Sequence, residues 1–205
     1  RNVQGFQSLW QIDLDTLNAE PIQATEDYTE ITDIAAAPAR RRFAFIGSRT
    51  DCPPRVVQHD LETGTSRVLA RAAAETIPAA ALSKCEPISW KTNNAETVHG
   101  LFFPPAGQGV EGIGKPPLIA MIHGGPTSQV RAGWKPDAQF FATRGYAVLY
   151  VNYRGSTGYG RNYMLKLRGN WGICDVEDAI SGKEALVAEG RIDPHRTVIM
   201  GGSAG

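Results

Sequence analysis

Ser203 stands in the chain's only Gly-x-Ser-x-Gly, within "TVIMGGSAG" at residues 197–205. A serine hydroxyl is a weak nucleophile at neutral pH. An enzyme that uses one must expose it, pair it with a base and stabilise the oxyanion that forms. Glycines at 201 and 205, set after an apolar run, supply the exposure: a buried strand bends sharply at the serine into a helix, and neighbouring backbone passes without Cβ clashes. Gly202 adds room. The same five residues also read as a flexible turn in a chain with 22 glycines. A second group weighs against that reading. His123, Gly124, Gly125 and Pro126 directly follow the apolar run "PLIAMI", where the N–H groups of a loop can face a nucleophile. The expected oxyanion hole is the N–H of Gly125 with that of Ala204, each such donor stabilising a transition state by about 3 to 4 kcal/mol.

Other polar residues read more plainly. "NYRGSTGYG" (152–160) lacks the lysine of a phosphate loop, and its glycines are in the wrong order for a dinucleotide fingerprint. Arg154 reads either as a binder of a substrate carboxylate or as half of an ion pair with Asp175 or Asp178, and the ion pair is the simpler assignment. Asp175, Glu177 and Asp178 gather where a helix starts and complement its dipole. His59, His99 and His195 have no partner spacing and read as structural or surface residues. Trp134 and Trp171 read as core.

The elements that must hold these groups fall into two parts. "LWQIDLDT" (9–16) and "VVQHDLET" (56–63) share Gln, Asp, Leu and Thr at a spacing of 47, each followed by a turn and a second strand. "ITDIAAAP" and "RRFAFIGS" add two strands joined at Pro38 to Arg41. Four strands in about 40 to 50 residues is the size of a β-propeller blade, and the alternative is a meander with similar turn entries. From Ser83 the pattern changes. "CEPISWKT" and "ETVHGLFFPP" read as a hairpin turning at Asn93 and Asn94, then a Gly/Pro-rich loop spans 104–117. "PLIAMI" and "YAVLYV" are apolar throughout, as strands covered on both faces are. A helix from Pro136 to Gly145 lies between them with Phe140 and Phe141 inward. A second, from Asp175 to Glu189, carries Val176, Ala179, Ile180, Leu186 and Val187 on one stripe. The fold class is therefore α/β, with a mostly parallel sheet that binds ligands beyond the carboxyl ends of its strands. In an α/β-hydrolase the base follows the serine, so His123 shapes its loop rather than acting as the base.

Twenty-one Lys plus Arg balance 21 Asp plus Glu, which provides no field for nucleic acid or an anionic membrane surface. Neither partner is expected. No apolar run approaches the roughly 20 residues of a membrane helix. Three scattered cysteines, Cys52, Cys85 and Cys174, form no disulfide framework and no metal spacing, so no metal and no cofactor are expected and a reducing, cytoplasmic compartment is preferred. Self-association into a homo-oligomer stays open.

"HGGP", "RGYAVLYVNYRGSTGYGRNY", "GNWGICDVED" and "GRIDPHRTVIMGGSAG", with the blade-like segment before them, together resemble the prolyl oligopeptidase family of serine peptidases. The histidine form of the loop looks most like its acylaminoacyl-peptidase and bacterial dipeptidyl-aminopeptidase branch. The resemblance is dense from about Lys115 and only architectural before Ser83. It implies a C-terminal portion of a β-propeller, about two blades, at 1–82, and at 83–205 the N-terminal half of an α/β-hydrolase catalytic domain. Short peptides or acylaminoacyl peptides are the implied substrates, cleaved through an acyl-enzyme on Ser203, with Gly125 and Ala204 as oxyanion donors and His123, Gly124, Gly201 and Gly205 as supporting motif. A carboxylesterase on the same fold and a non-catalytic propeller interaction protein are the other readings. The family's aspartate and histidine lie downstream of its serine. The chain is accordingly expected to be a piece of a longer protein, and residues 1–205 alone are expected to form no acyl-enzyme.

Overall fold

The computed structural model describes residues 1–25, 27–107 and 112–205; part of the 104–117 loop read from the sequence lies outside them. The chain divides into two compact units, Arg1–Pro78 with Arg131–Trp134, and Ala79–Val130 with Lys135–Gly205.

The first unit is built of antiparallel strands: β1 (Asn2–Val3), β2 (Phe6–Gln7), β3 (Trp10–Ile12), β4 (Ala19–Pro21), β5 (Glu30–Ala37), β6 (Arg42–Arg49), β7 (Cys52–Asp60) and β8 (Thr65–Arg71). The last four form one sheet in the order β5-β6-β7-β8, while β1-β2 and β3-β4 pair separately. Tyr28, Ile31, Phe43, Phe45 and Val57 form its buried cluster. The repeat at a spacing of 47 is a repeat of turn chemistry. Asp13 Oδ1 accepts from the N–H groups of Asp15 and Thr16, and Asp60 Oδ1 accepts from those of Glu62 and Thr63. In each turn the residue four after the aspartate, Leu17 or Gly64, is left-handed. An aspartate that bonds its own backbone two and three residues on fixes such a turn locally.

The second unit holds β9 (Glu86–Lys91), β10 (Thr97–Phe103), β11 (Leu118–Ile122), β12 (Ala147–Asn152) and β13 (Thr197–Gly201), with α1 (Pro136–Ala142), α2 (Arg161–Leu165) and α3 (Cys174–Ala188). Its sheet runs β13-β11-β12-β10-β9. Only β13, β11 and β12 are parallel, and the β9–β10 hairpin joins antiparallel through β12. The sheet is therefore mixed rather than mostly parallel, because a hairpin placed beside a parallel core contributes two antiparallel pairings.

Along β12 the side chains alternate between faces. Ala147, Leu149 and Val151 join the cluster that includes Trp90, Ala179 and Leu186, and Trp90 Nε1–H donates to Ser181 Oγ on α3 at 3.0 Å. Tyr150 points the other way and donates to Asp137 Oδ1 on α1 at 2.7 Å. Helices on both faces explain why β12 is buried at every position.

Several expectations for single side chains are corrected. Ala138, Gln139 and Ala142 form the buried stripe of α1, and Phe140 is exposed, its ring 3.8 Å from the Arg144 guanidinium. On α3, Ala179 and Leu186 are buried, but Val176 and Ile180 are about half exposed. They line a cavity of about 270 Å³ with Ile199, Ala204 and Gly205. Among the described residues β13 pairs with β11 alone, and it is exposed along its length. Trp171 is 60% exposed in a loop and belongs to no core.

Candidate active site

Three parallel strands in register deliver their carboxyl ends side by side, since Ile122 lies opposite both Val151 and Gly201. β11 leads into His123, β12 into Tyr153, and β13 into Ser203. Ser203 is exposed and has φ +60°, a region non-glycine residues enter at a cost of about 1 to 3 kcal/mol. The chain doubles back here, with Gly205 N–H donating to Gly202 O at 3.0 Å. Close approach accounts for the flanking glycines. A Cβ on Gly201 would lie 2.5 Å from Gly205 C, and one on Gly205 would lie 2.2 Å from Ile122 O.

The 123–126 loop stands beside that bend. A Cβ on Gly124 would sit 2.9 Å from Gly202 O and 3.0 Å from Ser203 Cβ, with Ser203 Oγ at 3.5 Å, so the backbone of the serine bend leaves no room for a side chain there. Gly125 has φ +132° and precedes a cis proline. Ala204 is half-buried.

His123 has both ring nitrogens engaged. Nδ1 lies 2.8 Å from Gly124 O and Nε2 lies 2.8 Å from Ser156 Oγ. Its ring stacks on Tyr153 at 4.4 Å and 16°. Burial pushes its pKa below the ordinary histidine value, and the bond to Gly124 pulls the other way without cancelling the shift. The neutral ring facing a carbonyl carries its proton on Nδ1, and Nε2 then accepts from the serine hydroxyl. This occupancy removes His123 from the role of base toward Ser203.

His99, stacked on Tyr159 at 4.3 Å, is lowered for the same reason, burial. The sign follows directly. A histidine with a depressed folded pKa binds fewer protons folded than unfolded, so its stabilising share is complete above about pH 6.5, the unfolded value, and is lost as pH falls through the folded one. The thermal midpoint of the wild type should therefore drop between pH 7.5 and pH 5.5. The His123→Asn variant should show a shallower drop, and an equal drop in the two proteins would show that His123 does not contribute.

Arg154 is 5% exposed. Its backbone N–H donates to Asp178 Oδ2 (2.6 Å), its Nε to Asp178 Oδ1 (2.8 Å) and a terminal nitrogen to Glu177 Oε2 (2.6 Å). The ion-pair assignment holds, with Glu177 as second partner in place of Asp175, whose Oδ1 accepts from Gly172 N–H. His59 is buried against Ser66 Oγ, and His195 lies in an exposed loop. Among the described residues no three His, Cys, Asp or Glu side chains group to hold a metal.

Tyr153 and Ser156 were not singled out from the sequence. Tyr153 hydroxyl donates to His123 O (3.0 Å) and Pro126 O (3.2 Å), and burial, with Asp175 nearby, pushes that hydroxyl up to about 12. The available signal was positional: a loop leaving the carboxyl end of a strand parallel to β11 must flank the loop leaving β11.

Comparison with known proteins defines the class. Residues 133–205 match the model of the prolyl oligopeptidase family of peptidases. The chain belongs to that family. It is 31% identical over 209 residues to an uncharacterized peptidase, YuxL, of Bacillus subtilis (strain 168), covering 98% of this chain and 30% of that protein. It is 43% identical over 89 residues to the acylamino-acid-releasing enzyme of Rattus norvegicus, covering 43% of this chain and 12% of the relative. Among solved structures, a Mycobacterium tuberculosis puromycin-hydrolyzing peptidase superposes with a TM-score of 0.92 at 36% identity, over 98% of this chain and 31% of that one. The chain thus spans less than a third of the length of each of these proteins.

Proposed function

We propose that this chain carries the nucleophile and oxyanion hole of a serine peptidase that cleaves short peptides or acylaminoacyl peptides. Ser203 Oγ attacks the substrate carbonyl carbon while its proton passes to a histidine elsewhere in the protein. The oxyanion accepts from the N–H groups of Gly125 and Ala204. Collapse of the tetrahedral adduct breaks the C–N bond and releases the amine, which takes a proton from the same histidine, and water then hydrolyses the acyl-serine. Residues 83–205 are assigned to an α/β-hydrolase catalytic domain and residues 1–82 to the end of a β-propeller, an assignment supported by the four-stranded antiparallel sheet and the repeated turn. The substrate class is taken from the acylamino-acid-releasing and puromycin-hydrolyzing relatives.

One observation carries the reading: an exposed serine at a left-handed bend with glycine backbone against its hydroxyl. A fluorophosphonate, which phosphonylates activated serines with loss of fluoride, should label the full protein one-to-one at Ser203, located by peptide mass, and should leave isolated residues 1–205 unlabelled. Labelling at another serine, or none in a preparation that turns over peptides, would overturn the assignment.

A further inference from the structure

In the segment "NYRGSTGYG" residues 152–156 are all buried, and only Arg154 among them is accounted for by the ion cluster. Asn152 and Ser156 have no exposed surface and Tyr153 is 1% exposed. Each of these side chains bonds the 123–130 loop, and Asn152 also donates to the Tyr159 hydroxyl (2.9 Å). Asn152 brackets Val130, accepting from its N–H (2.7 Å) and donating to its carbonyl (3.0 Å). Tyr153 hydroxyl ties His123 O to Pro126 O across the turn. Ser156 meets His123 Nε2, and Thr157 N–H donates to Ser128 O (2.7 Å).

The Ser156 and Tyr153 bonds meet at His123, and His123 in turn holds one peptide group. The carbonyl that His123 Nδ1–H holds is that of Gly124, and the amide on the other end of the same peptide is Gly125 N–H. A peptide unit is planar, and in a trans unit the N–H points opposite to the C=O, so holding the carbonyl fixes the direction of the amide. A carbonyl that accepts a hydrogen bond also polarises its own N–H and strengthens it as a donor. Glycines on both sides of this peptide leave it free to rotate unless something else restrains it.

We propose that Ser156 and Tyr153 are positioning residues: acting through His123, they lock the Gly124–Gly125 peptide so that the Gly125 N–H faces the oxyanion. This inference rests on the reading of Ser203 and Gly125 given above. Ser156 sets the imidazole by donating to Nε2, which leaves Nδ1–H for the Gly124 carbonyl. Tyr153 stacks under the ring and pins the loop at both of its ends. Neither residue touches the substrate.

The test uses the full protein with Ser156→Ala and Tyr153→Phe, the second of which keeps the ring stacked on His123 and carries the test should the first not fold. For both, kcat is expected to fall about 10- to 100-fold, less than the loss of a whole oxyanion donor, with KM changed less than about twofold. A peptide aldehyde, whose adduct with Ser203 places an oxyanion in the hole, should bind weaker by the same factor as kcat falls, while the matching peptide alcohol, which forms no adduct, should bind as before. An unchanged kcat, or equal weakening of aldehyde and alcohol, overturns the positioning role. Ser203→Ala run in parallel separates the two ideas: if it abolishes turnover while Ser156→Ala and Tyr153→Phe keep the wild-type kcat, only the positioning role fails, and if it keeps turnover, both fail.

Discussion

Ser203→Ala in the full protein should lower kcat by about 10⁴ to 10⁶, with KM for the same peptides within about twofold. The effect is this large because the hydroxyl is the group that forms the covalent bond. What remains after its removal is only what binding and the oxyanion donors supply without a nucleophile. The fold should tolerate the change. Ser203 is exposed, and alanine meets the same left-handed backbone at a similar cost. Unchanged thermal unfolding alongside the lost turnover is thus part of the expected result. A fall of only about tenfold in kcat would place the nucleophile at another residue. The comparison with Ser156 is informative because both are serines near the same loop. One is exposed at a strained bend and the other is fully buried against an imidazole, so their alanine variants should differ by at least about 10² in kcat.

Much of this arrangement was legible because it rests on local rules. "YAVLYV" and "PLIAMI" are apolar at every position, which a strand needs only when both faces are covered, and helices pack on both faces of β12. The turns at Asp13 and Asp60 are written in the aspartate and in the residues two and three beyond it. Gly201 and Gly205 were recognisable because a Cβ at either would collide with backbone. Features set by distant partners were not legible. Phe140 and Phe141 are about 100° apart on a helix and cannot both face one neighbour, and the sheet took the Ala138–Ala142 side instead. An apolar run carries no mark of its direction, so the hairpin at residues 86–103 was read as a hairpin but not as the antiparallel edge of the same sheet. Tyr153 and Ser156 belong to no local motif, and their role exists only because β12 lies parallel to β11.

Breaking the buried ion cluster should give the largest loss of stability, and the loss should depend on which partner is removed. Asp178 is fully buried and meets Arg154 through two bonds, whereas the Glu177 side chain is 28% exposed. Asp178→Ala leaves a buried guanidinium, which cannot give up its proton, with the partly exposed Glu177 as its remaining partner, at a cost of about 3 kcal/mol. Glu177→Gln, at the wetter end, should cost under about 1 kcal/mol. Arg154→Met strands a carboxylate, and that group has an escape. Burial already holds Asp178 above the ordinary carboxylate value despite the bonds from Arg154, and removing the arginine raises it further. With a folded pKa above the unfolded one, the group takes up a proton more readily when folded. The penalty in Arg154→Met is therefore relieved below the folded pKa and imposed in full as pH rises through it. Urea unfolding at pH 5 and pH 8, each variant referred to wild type at the same pH so that the histidine contributions cancel, should show Arg154→Met regaining stability at pH 5 and Asp178→Ala regaining none. Equal recovery of both variants at pH 5 would mean that Asp178 does not protonate in the folded state and that the cluster is held by packing rather than by charge.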